Sequence, residues 1–403
     1  MLCRVQGAVS GALPADYASW TGLRAFELAD TRLSGTIPPT YFSSWLQLEN
    51  FTIDGASLTG ALPPPWQCTS LKHYVDTLQG HNWTSLTRLS LPSMNLTGLI
   101  GPLAYLLPQL TMLDLSNNQL SGHLPPGLWE AYSNLLHVNL SSNALYGTQP
   151  TSLPAEWSSL AKLQVLRIAG NTSGASAFTS LPASWSQLSQ LTQLAISNAT
   201  FSSGGLPAAW SNMTALQTLA LRNNRLQGSL NNSAWHTFTS LRHLNLSFNQ
   251  LTGALQPSWS VLRTNLSIDV SNNNITGPLP AGLAATGIDG QMLQLALLNA
   301  SHNSITGTLP PSYANLSAAV VTGLVMSHNQ LQGGIPDSWA ARNSSALLNS
   351  TIASWSELDV ANNSRMCGVL PAWFHAVFTK LNPTTAARML QGEMQHTPPT
   401  HST

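Results

Sequence analysis

Residues 110–125 read LTMLDLSNNQLSGHLP, and this stretch contains the pattern that decides the fold. Leu113 and Leu115 are two residues apart, so in an extended strand both point to one face and the residue between them points to the other. The amide of Asn118 can donate to and accept from backbone groups that would otherwise be buried without partners. Gly122 permits a backbone conformation that a side chain disfavours, and the proline after the last leucine fixes the return segment.

The same frame recurs along most of the chain. Clear copies begin at Leu241, Ile268, Leu295 and Leu324. Weaker copies centre on Thr31, Ala56, Met94, Asn143, Asn171, Ala199, Asn224 and Asn363, and a partial copy lies at residues 9–14. One coil cannot bury its leucines alone, whereas stacked coils share a continuous core. The sequence therefore predicts about 13 stacked coils rather than two or three globular domains.

The repeat resembles Leu-x-x-Leu-x-Leu-x-x-Asn-x-Leu-x-Gly-x-(Ile/Leu)-Pro, the repeat of the plant-specific class of leucine-rich repeat proteins, over residues 7–371. The resemblance implies an α/β repeat solenoid. This would be a curved horseshoe of about 13 coils, with a parallel β-sheet on the concave face and loops or short 3-10 turns on the convex face. A tryptophan that recurs four residues after the last Leu or Ile of the repeat is similar to green-algal members of the class. Its copies are Trp66, Trp157, Trp185, Trp210, Trp259 and Trp339, with Trp129 and Trp235 as close variants. We expect these indoles to fill the convex side of the core.

Departures from the repeat predict the boundaries and the irregular regions. We expect the solenoid, with an incomplete N-terminus, at residues 1–371, a C-terminal capping helix at 372–381 and a disordered tail at 382–403. The chain opens inside a coil with neither a secretory signal nor the family's cysteine-bearing cap, so we interpret it as a fragment or a truncated product.

Longer spacings place insertions at residues 67–82, 284–292 and 341–353. Ala56, Met94 and Ala199 replace the repeat's asparagine, so we expect an interrupted ladder and a less regular N-terminal third.

Composition excludes several classes of function. Charged residues make up 7% of the chain, against roughly 25% in soluble proteins, and 15 positive charges balance 15 negative ones. A nucleic-acid partner is not expected without a basic cluster, and no apolar stretch has the length of a membrane-spanning helix.

Cys3, Cys68 and Cys367 are spaced neither as a disulfide framework nor as a zinc site, and Cys367 lacks the second cysteine of the family's capping disulfide. Phosphate-binding, hydrolase, metalloprotease and kinase motifs are missing from the sequence, so we predict a protein that is not an enzyme and has no cofactor or metal.

The concave strand positions are the default recognition surface of this architecture. The candidate binding residues are Asp114, His137, Asn139, Arg167, Gln193, His243, Asn245, Asp269 and Asn299. This stripe is small, polar and nearly neutral and has almost none of the aromatic and arginine anchors that are common in interfaces. It favours short-range recognition of a protein, peptide or glycan, and a plain solvated face is the alternative interpretation.

Asn-x-(Ser/Thr) sequons bear on the compartment. The chain has 16 of them, more than its composition gives by chance, which is typical of extracellular glycoproteins. The candidate glycosylation sites are Asn82, Asn95, Asn212, Asn231, Asn315, Asn343 and Asn349. Sequons at Asn139, Asn245 and Asn299 would instead place glycans on the concave face, where they would crowd a ligand.

Three functional hypotheses follow. The first is an extracellular or cell-surface binding module, like the receptor-like and inhibitor-like members of the family. The second is an intracellular scaffold in the cytoplasm of a green alga, in a cytoskeletal or ciliary (axonemal) assembly, which the unpaired cysteines favour. The third is the severed ectodomain of a receptor kinase. A mobility shift on glycosidase treatment would distinguish the first from the second.

Overall fold

The computed structural model describes residues 1–61, 83–100, 107–124, 134–146, 153–171, 178–199, 201, 204–231, 237–256, 266–284, 295–315, 323–339 and 357–367. The chain forms two compact units, Met1–Leu216 and Gln217–Thr403. The insertions predicted at 67–82 and 341–353, the capping helix and the tail lie outside the described residues, as does all but residue 284 of the insertion at 284–292. Four of the predicted tryptophans also lie outside them, namely Trp66, Trp129, Trp235 and Trp259.

The first unit contains fourteen of the described strands. They are β1 (Leu2–Gln6), β2 (Ser10–Ala12), β3 (Ala25–Ala29), β4 (Arg32–Gly35), β5 (Asn50–Ile53), β6 (Ser57–Ala61), β7 (Arg88–Ser90), β8 (Asn95–Leu99), β9 (Met112–Asp114), β10 (Gln119–His123), β11 (His137–Asn139), β12 (Ala144–Tyr146), β13 (Val165–Arg167) and β14 (Gln193–Ala195). Its helices are α1 (Thr40–Ser44) and the 3-10 helices Ala15–Ser19, Ala155–Ser159, Ala183–Gln187 and Ala208–Asn212.

The second unit repeats the same coil. Its described strands are β15 (Thr218–Ala220), β16 (His243–Asn245), β17 (Leu266–Asp269), β18 (Leu295–Asn299), β19 (Gly323–Val325), β20 (Gln332–Gly333), β21 (Glu357–Asp359) and β22 (Arg365–Met366). Its 3-10 helices are Ala281–Ala284 and Pro311–Asn315.

One long parallel sheet dominates each unit. In the first unit, β1, β3, β5, β7, β9, β11, β13 and β14 are neighbours in chain order, and in the second unit β15–β19 and β21 are. Among the described residues this gives eight strands and six strands, which correspond to the thirteen predicted coils and the partial one. The parallel sheet and the 3-10 helices confirm the predicted fold class.

The core forms because the inward residue of each strand stacks on its equivalent in the next coil. Leu89, Leu113, Val138 and Leu166 align across four successive strands, and all four are buried. Each leucine that is buried in this way contributes about 1.5–3 kcal/mol relative to an exposed position. The period-two pattern in the sequence thus sets which side of each strand meets the core.

The first unit has a second parallel sheet, formed by β2, β4, β6, β8, β10 and β12 in chain order. These strands begin shortly after the asparagine position of each coil. Several of their glycines have positive φ, for example Gly60 at 100° and Gly122 at 93°. The expectation of a less regular N-terminal third is wrong for this sheet, because backbone pairing between these strands does not require the asparagine side chain.

Buried asparagines link successive coils. The Nδ2 of Asn143 donates to the Leu115 carbonyl of the preceding coil at 2.9 Å, and its Oδ1 accepts from the Leu120 amide at 3.0 Å. Where the sequence has Ala56, Met94 or Ala199, the position is buried by an apolar side chain that cannot form these bonds. The predicted interruptions of the ladder therefore occur at these three coils.

Three of the recurring tryptophans that the structure describes, Trp157, Trp185 and Trp210, lie on 3-10 helices and are buried. Trp157, Trp185 and Trp210 have at most 1% of their surface exposed. The Nε1 of Trp185 donates to the Pro154 carbonyl at 2.8 Å, and the Nε1 of Trp210 donates to the Pro182 carbonyl at 2.9 Å. The indoles therefore fill the core, as predicted, and also connect each coil to the one before it.

Candidate functional site

Four of the candidate binding residues form two contacting pairs in the first unit. Asp114, Asn139 and Arg167 align on β9, β11 and β13, on the side of the sheet that faces away from the core, which we call the strand face. The Asn139 Nδ2 donates to the Asp114 Oδ2 at 3.2 Å, and the Arg167 Nη2 donates to the Gln193 Oε1 at 2.8 Å. His137 lies on the parallel row beside Asn139 and is half-buried. The structure thus brings these residues onto one surface.

The remaining candidates form an equivalent row in the second unit. Asn245, Asp269 and Asn299 align on β16, β17 and β18 and are half-buried. His243 lies on the neighbouring row and is exposed, aligned with Ser267. The predicted sites therefore occupy one register position in each unit.

Most of these side chains also have a structural role that the sequence reasoning missed. The Oδ1 of Asp269 accepts from the Ser271 amide at 3.0 Å and from the Ser271 Oγ at 2.7 Å. Asp114 and Asn245 make the same two bonds to the serine two residues later. This is an Asx turn that ends the strand. One oxygen of each residue is therefore engaged in the turn, and in Asp114 the second oxygen also accepts from the Asn139 Nδ2.

The sequons separate into two structural classes. Asn171 is a buried ladder residue whose Nδ2 donates to the Leu140 carbonyl at 3.0 Å, so it is not available for a glycan. In contrast, the candidate sites Asn95, Asn212 and Asn231 are exposed. Asn82, Asn343 and Asn349, as well as the side chain of Asn315, lie outside the described part of the chain.

A charged cluster on the first strands was not among the predicted sites. Glu27 pairs with Arg4 and also accepts from the Asn50 Nδ2 at 2.6 Å, while Arg24 and Glu49 pair at 3.0 Å. These ion pairs are exposed, so each contributes at most about 1 kcal/mol. The alternation of polar and apolar residues at 25–29 was the signal that could have placed Glu27 on the strand face.

A second missed feature is the residue just before the ladder position, which has positive φ in coil after coil. This position holds Asp30, Gly55, Ser93, Asn117, Ser142, Gly170 and Asn198 in the first unit, and Asn223, Phe248, Asn272, His302, His328 and Asn362 in the second. Left-handed backbone is costly for residues with bulky side chains, so small residues, asparagine and aspartate are expected there. The second unit departs from this rule at Phe248, and it also carries two larger residues that tolerate positive φ better, His302 and His328.

The bulky residues of the second unit contact one another or a neighbouring cation. The Arg222 Cζ lies 4.8 Å from the ring centroid of Phe248, whose surface is 44% exposed. The His302 and His328 rings stack with centroids 4.0 Å apart and planes inclined by 12°, and the Asn362 Nδ2 lies 2.9 Å from the His328 Nε2. We call Arg222, Phe248, Asn272, His302, His328 and Asn362 the edge column.

Electrostatics within the edge column oppose the charging of His302. Partial burial and the neighbouring His328 lower the pKa of His302, whereas the Asp359 carboxylate acts in the opposite direction. Two imidazoles in contact therefore disfavour a double positive charge at neutral pH.

The part of the chain that the structure describes has free thiols and neither a candidate metal site nor a candidate membrane span. Within the described ranges, no group of three or more His, Cys, Asp or Glu side chains is arranged to hold a metal ion. Cys3 is half-buried, Cys367 is exposed and both are free thiols, whereas Cys68 is outside the described part. No helix in the part of the chain that the structure describes has the length and apolar character needed to cross a bilayer.

The sequence matches a known repeat. The family model described as Leucine Rich Repeat matches residues 109–131, 240–262 and 294–316. Three segments of the chain therefore match the leucine-rich repeat, and the fold is the parallel-strand solenoid of leucine-rich repeat structures. These findings agree with the predicted repeat and confirm the predicted fold class. A comparison with curated protein sequences gives no match.

Several solved structures have the same fold as this chain. The crystal structure of a TDR receptor is 24% identical with a TM-score of 0.70, over 93% of this chain and 62% of that one. The Arabidopsis receptor kinase HAESA, in complex with the peptide hormone IDA and the co-receptor SERK1, is 22% identical with a TM-score of 0.56, over 93% and 67%. A leucine-rich repeat protein of Leptospira interrogans is 20% identical with a TM-score of 0.62, over 92% of both chains. The chain thus spans less than two thirds of the TDR receptor chain. The TM-scores show that the three structures and this chain have the same fold.

Proposed function

We propose that this leucine-rich repeat protein is a non-enzymatic recognition module that binds a peptide or protein segment on its strand face. The observation that carries the proposal is the in-register row Asp114, Asn139 and Arg167 on adjacent strands. Neighbouring strands of such a sheet are about 4.8 Å apart, so the row offers a regular series of donors and acceptors. The fold that it shares with a receptor kinase in complex with a peptide hormone supports the same class of ligand.

The chemistry of the row indicates how a ligand would be selected. Asp114 and Arg167 carry opposite charges two strands apart, and Asn139 between them is uncharged. Such a surface gives little long-range attraction, so specificity depends on matched hydrogen bonds and shape. Recognition of this kind tolerates salt better than a basic patch does.

A selection experiment tests the proposal. Peptides that bind the purified chain are selected from a random display library and then measured against two double variants. Arg167→Ala with Gln193→Ala removes the strand-face pair, and Lys162→Ala with Glu156→Ala removes two exposed charged residues outside the strands as a matched control. We expect at least tenfold weaker binding to the first variant and unchanged binding to the second. Equal binding to both variants would refute the strand face as the recognition surface.

The proposal places the protein outside the cell or on its surface. Support comes from the exposed sequons at Asn95, Asn212 and Asn231, which are accessible to a glycan. If these sites are used, glycosidase treatment of the native protein increases its gel mobility, and replacing the three asparagines by glutamine makes that shift smaller.

An intracellular scaffold is the second candidate, because Cys3 and Cys367 are free thiols. Free thiols are common in reducing compartments and less so in secreted proteins. An unchanged mobility after glycosidase treatment would favour this candidate over the extracellular one.

A further inference from the structure

The left-handed position before the ladder holds different types of residue in the two units. Every coil of the first unit that is described satisfies the left-handed position with a small residue, an asparagine or an aspartate. The second unit places a phenylalanine and two histidines in this conformation, with φ of 54–56°. Phenylalanine is the most costly of these residues in left-handed backbone, and an exposed ring held there at a cost points to a contact with something outside the chain.

Phe248 and Arg222 form the most distinctive part of the column. The guanidinium lies over the exposed aromatic ring, which fixes the position of the cation. Among the described residues, ion pairs are formed by Arg4 and Arg24, and Arg222 is not in one. A cation held in place without a partner carboxylate is complementary to an acidic group, and the phenylalanine beside it is complementary to an apolar one.

The remainder of the column continues the same surface. Asn272 and Asn362 provide amides, which both donate and accept hydrogen bonds and so suit a peptide backbone. His302 and His328 add two stacked rings between them. The Asp359 carboxylate, which acts on His302, accepts from the Ala361 amide at 3.0 Å.

We propose that the edge column binds an extended acidic peptide segment, with a carboxylate on Arg222, an apolar side chain against Phe248 and backbone bonds to Asn272 and Asn362. A peptide with acidic side chains fits better than a neutral saccharide, because a carboxylate complements the cation of Arg222, which forms no ion pair among the described residues. This inference rests on the proposed function for the class of ligand, and it adds the charge of the ligand and a second place where it binds.

The test uses a defined probe on the whole chain. A fluorescent hexapeptide of alternating Glu and Leu is titrated against the protein and followed by anisotropy, and the matching Gln–Leu hexapeptide and an oligogalacturonate are titrated in parallel. The informative variants are Arg222→Gln and Phe248→Asn. The second of these installs the residue that several other coils use at this position, so its fold is retained. Arg32→Gln, an exposed arginine on β4 of the first unit, controls for net charge.

We expect the acidic peptide to bind and the amide peptide to bind at least fivefold more weakly. Arg222→Gln and Phe248→Asn each weaken binding of the acidic peptide by at least fivefold, and Arg32→Gln leaves it unchanged. Equal losses for Arg222→Gln and Arg32→Gln, or no binding of the acidic peptide at all, would overturn the proposal. Binding of the oligogalacturonate that depends on the same two residues would also overturn it, by replacing the peptide with a saccharide.

Failure of this inference is distinguishable from failure of the proposed function. The strand-face variant Arg167→Ala with Gln193→Ala leaves the edge column intact and is expected to bind the acidic probe as the parent chain does. If the acidic hexapeptide does not bind while the binding of library peptides still depends on the strand face, the proposed function stands. The edge column is then excluded as a peptide-binding site.

Discussion

Replacing Asn273 by alanine tests whether the ladder holds the coils together. Its Nδ2 donates to the carbonyls of Leu246 and Val270 at 3.0 Å and of Ser271 at 3.1 Å. Its Oδ1 accepts from the Leu251 amide at 3.0 Å. The side chain is buried, so water does not replace these bonds without rearrangement of the coil.

The expected loss of unfolding free energy depends on which backbone groups lose a hydrogen-bond partner in Asn273→Ala. The Leu246 carbonyl also accepts from Asn249, and the Val270 carbonyl also accepts from Asn303, so both keep a donor. The amide of Leu251, a buried residue, loses the acceptor that the structure gives it. An unsatisfied buried donor costs about 1–3 kcal/mol. With the small cavity, we expect the free energy of unfolding to fall by about 2–4 kcal/mol.

The matched control is Asn274→Ala, which changes an exposed asparagine in the same coil and is expected to cost less than about 0.5 kcal/mol. Urea unfolding followed by tryptophan fluorescence compares the midpoints, and hydrogen exchange reports on the Leu251 amide directly. If Asn273→Ala is no more destabilising than the control, or if the Leu251 amide stays protected, the ladder does not work as the geometry implies.

Three further predictions concern other parts of the chain. Trp185→Phe removes the indole bond to the preceding coil and should lower the free energy of unfolding by about 1 kcal/mol in urea melts; an unchanged midpoint would contradict this role. Burial raises the pKa of the Cys3 thiol, so iodoacetamide should label exposed Cys367 first at neutral pH, and mass spectrometry showing Cys3 labelled first would refute it. Replacing His328 by asparagine removes a neighbouring charge and should raise the pKa of His302 in an NMR titration, whereas an unchanged pKa would leave burial as its only cause.

The fold could be predicted from the sequence because the physical cause of each feature repeats. Leucines at period two place one side of each strand in the core. The ladder asparagine, of which Asn118 is one copy, recurs where buried backbone groups need a hydrogen-bond partner. The interruption at Met94 was predictable for the same reason, since a thioether cannot form the amide's bonds. The second sheet of the first unit was not predicted, because it depends on backbone pairing between segments whose side chains give only a weak pattern.

The candidate site was only partly predictable. The strand-face row followed from strand periodicity alone, and the structure places Arg167 and Gln193 in contact. The edge column could not be predicted, because it depends on the positive φ of the residue before the ladder position. No single residue type indicates this conformation, since asparagine, glycine, serine, histidine and phenylalanine all adopt it. Phe248 could be identified only after the left-handed conformation was seen to be common to the coils.

The strand-face sequons are better explained by the turn that they form than by glycosylation. Asn245 and Asn299 each accept from the amide and the hydroxyl of the serine two residues later, and Asp269 makes the same pair of bonds at the same register position. Aspartate cannot carry an N-linked glycan, so what these coils share is an acceptor oxygen. These sequons can therefore occur for the sake of the turn alone, and exposed sites such as Asn95 and Asn212 carry more weight as candidate glycosylation sites. On this interpretation the strand face stays open to a ligand whether or not the protein is glycosylated.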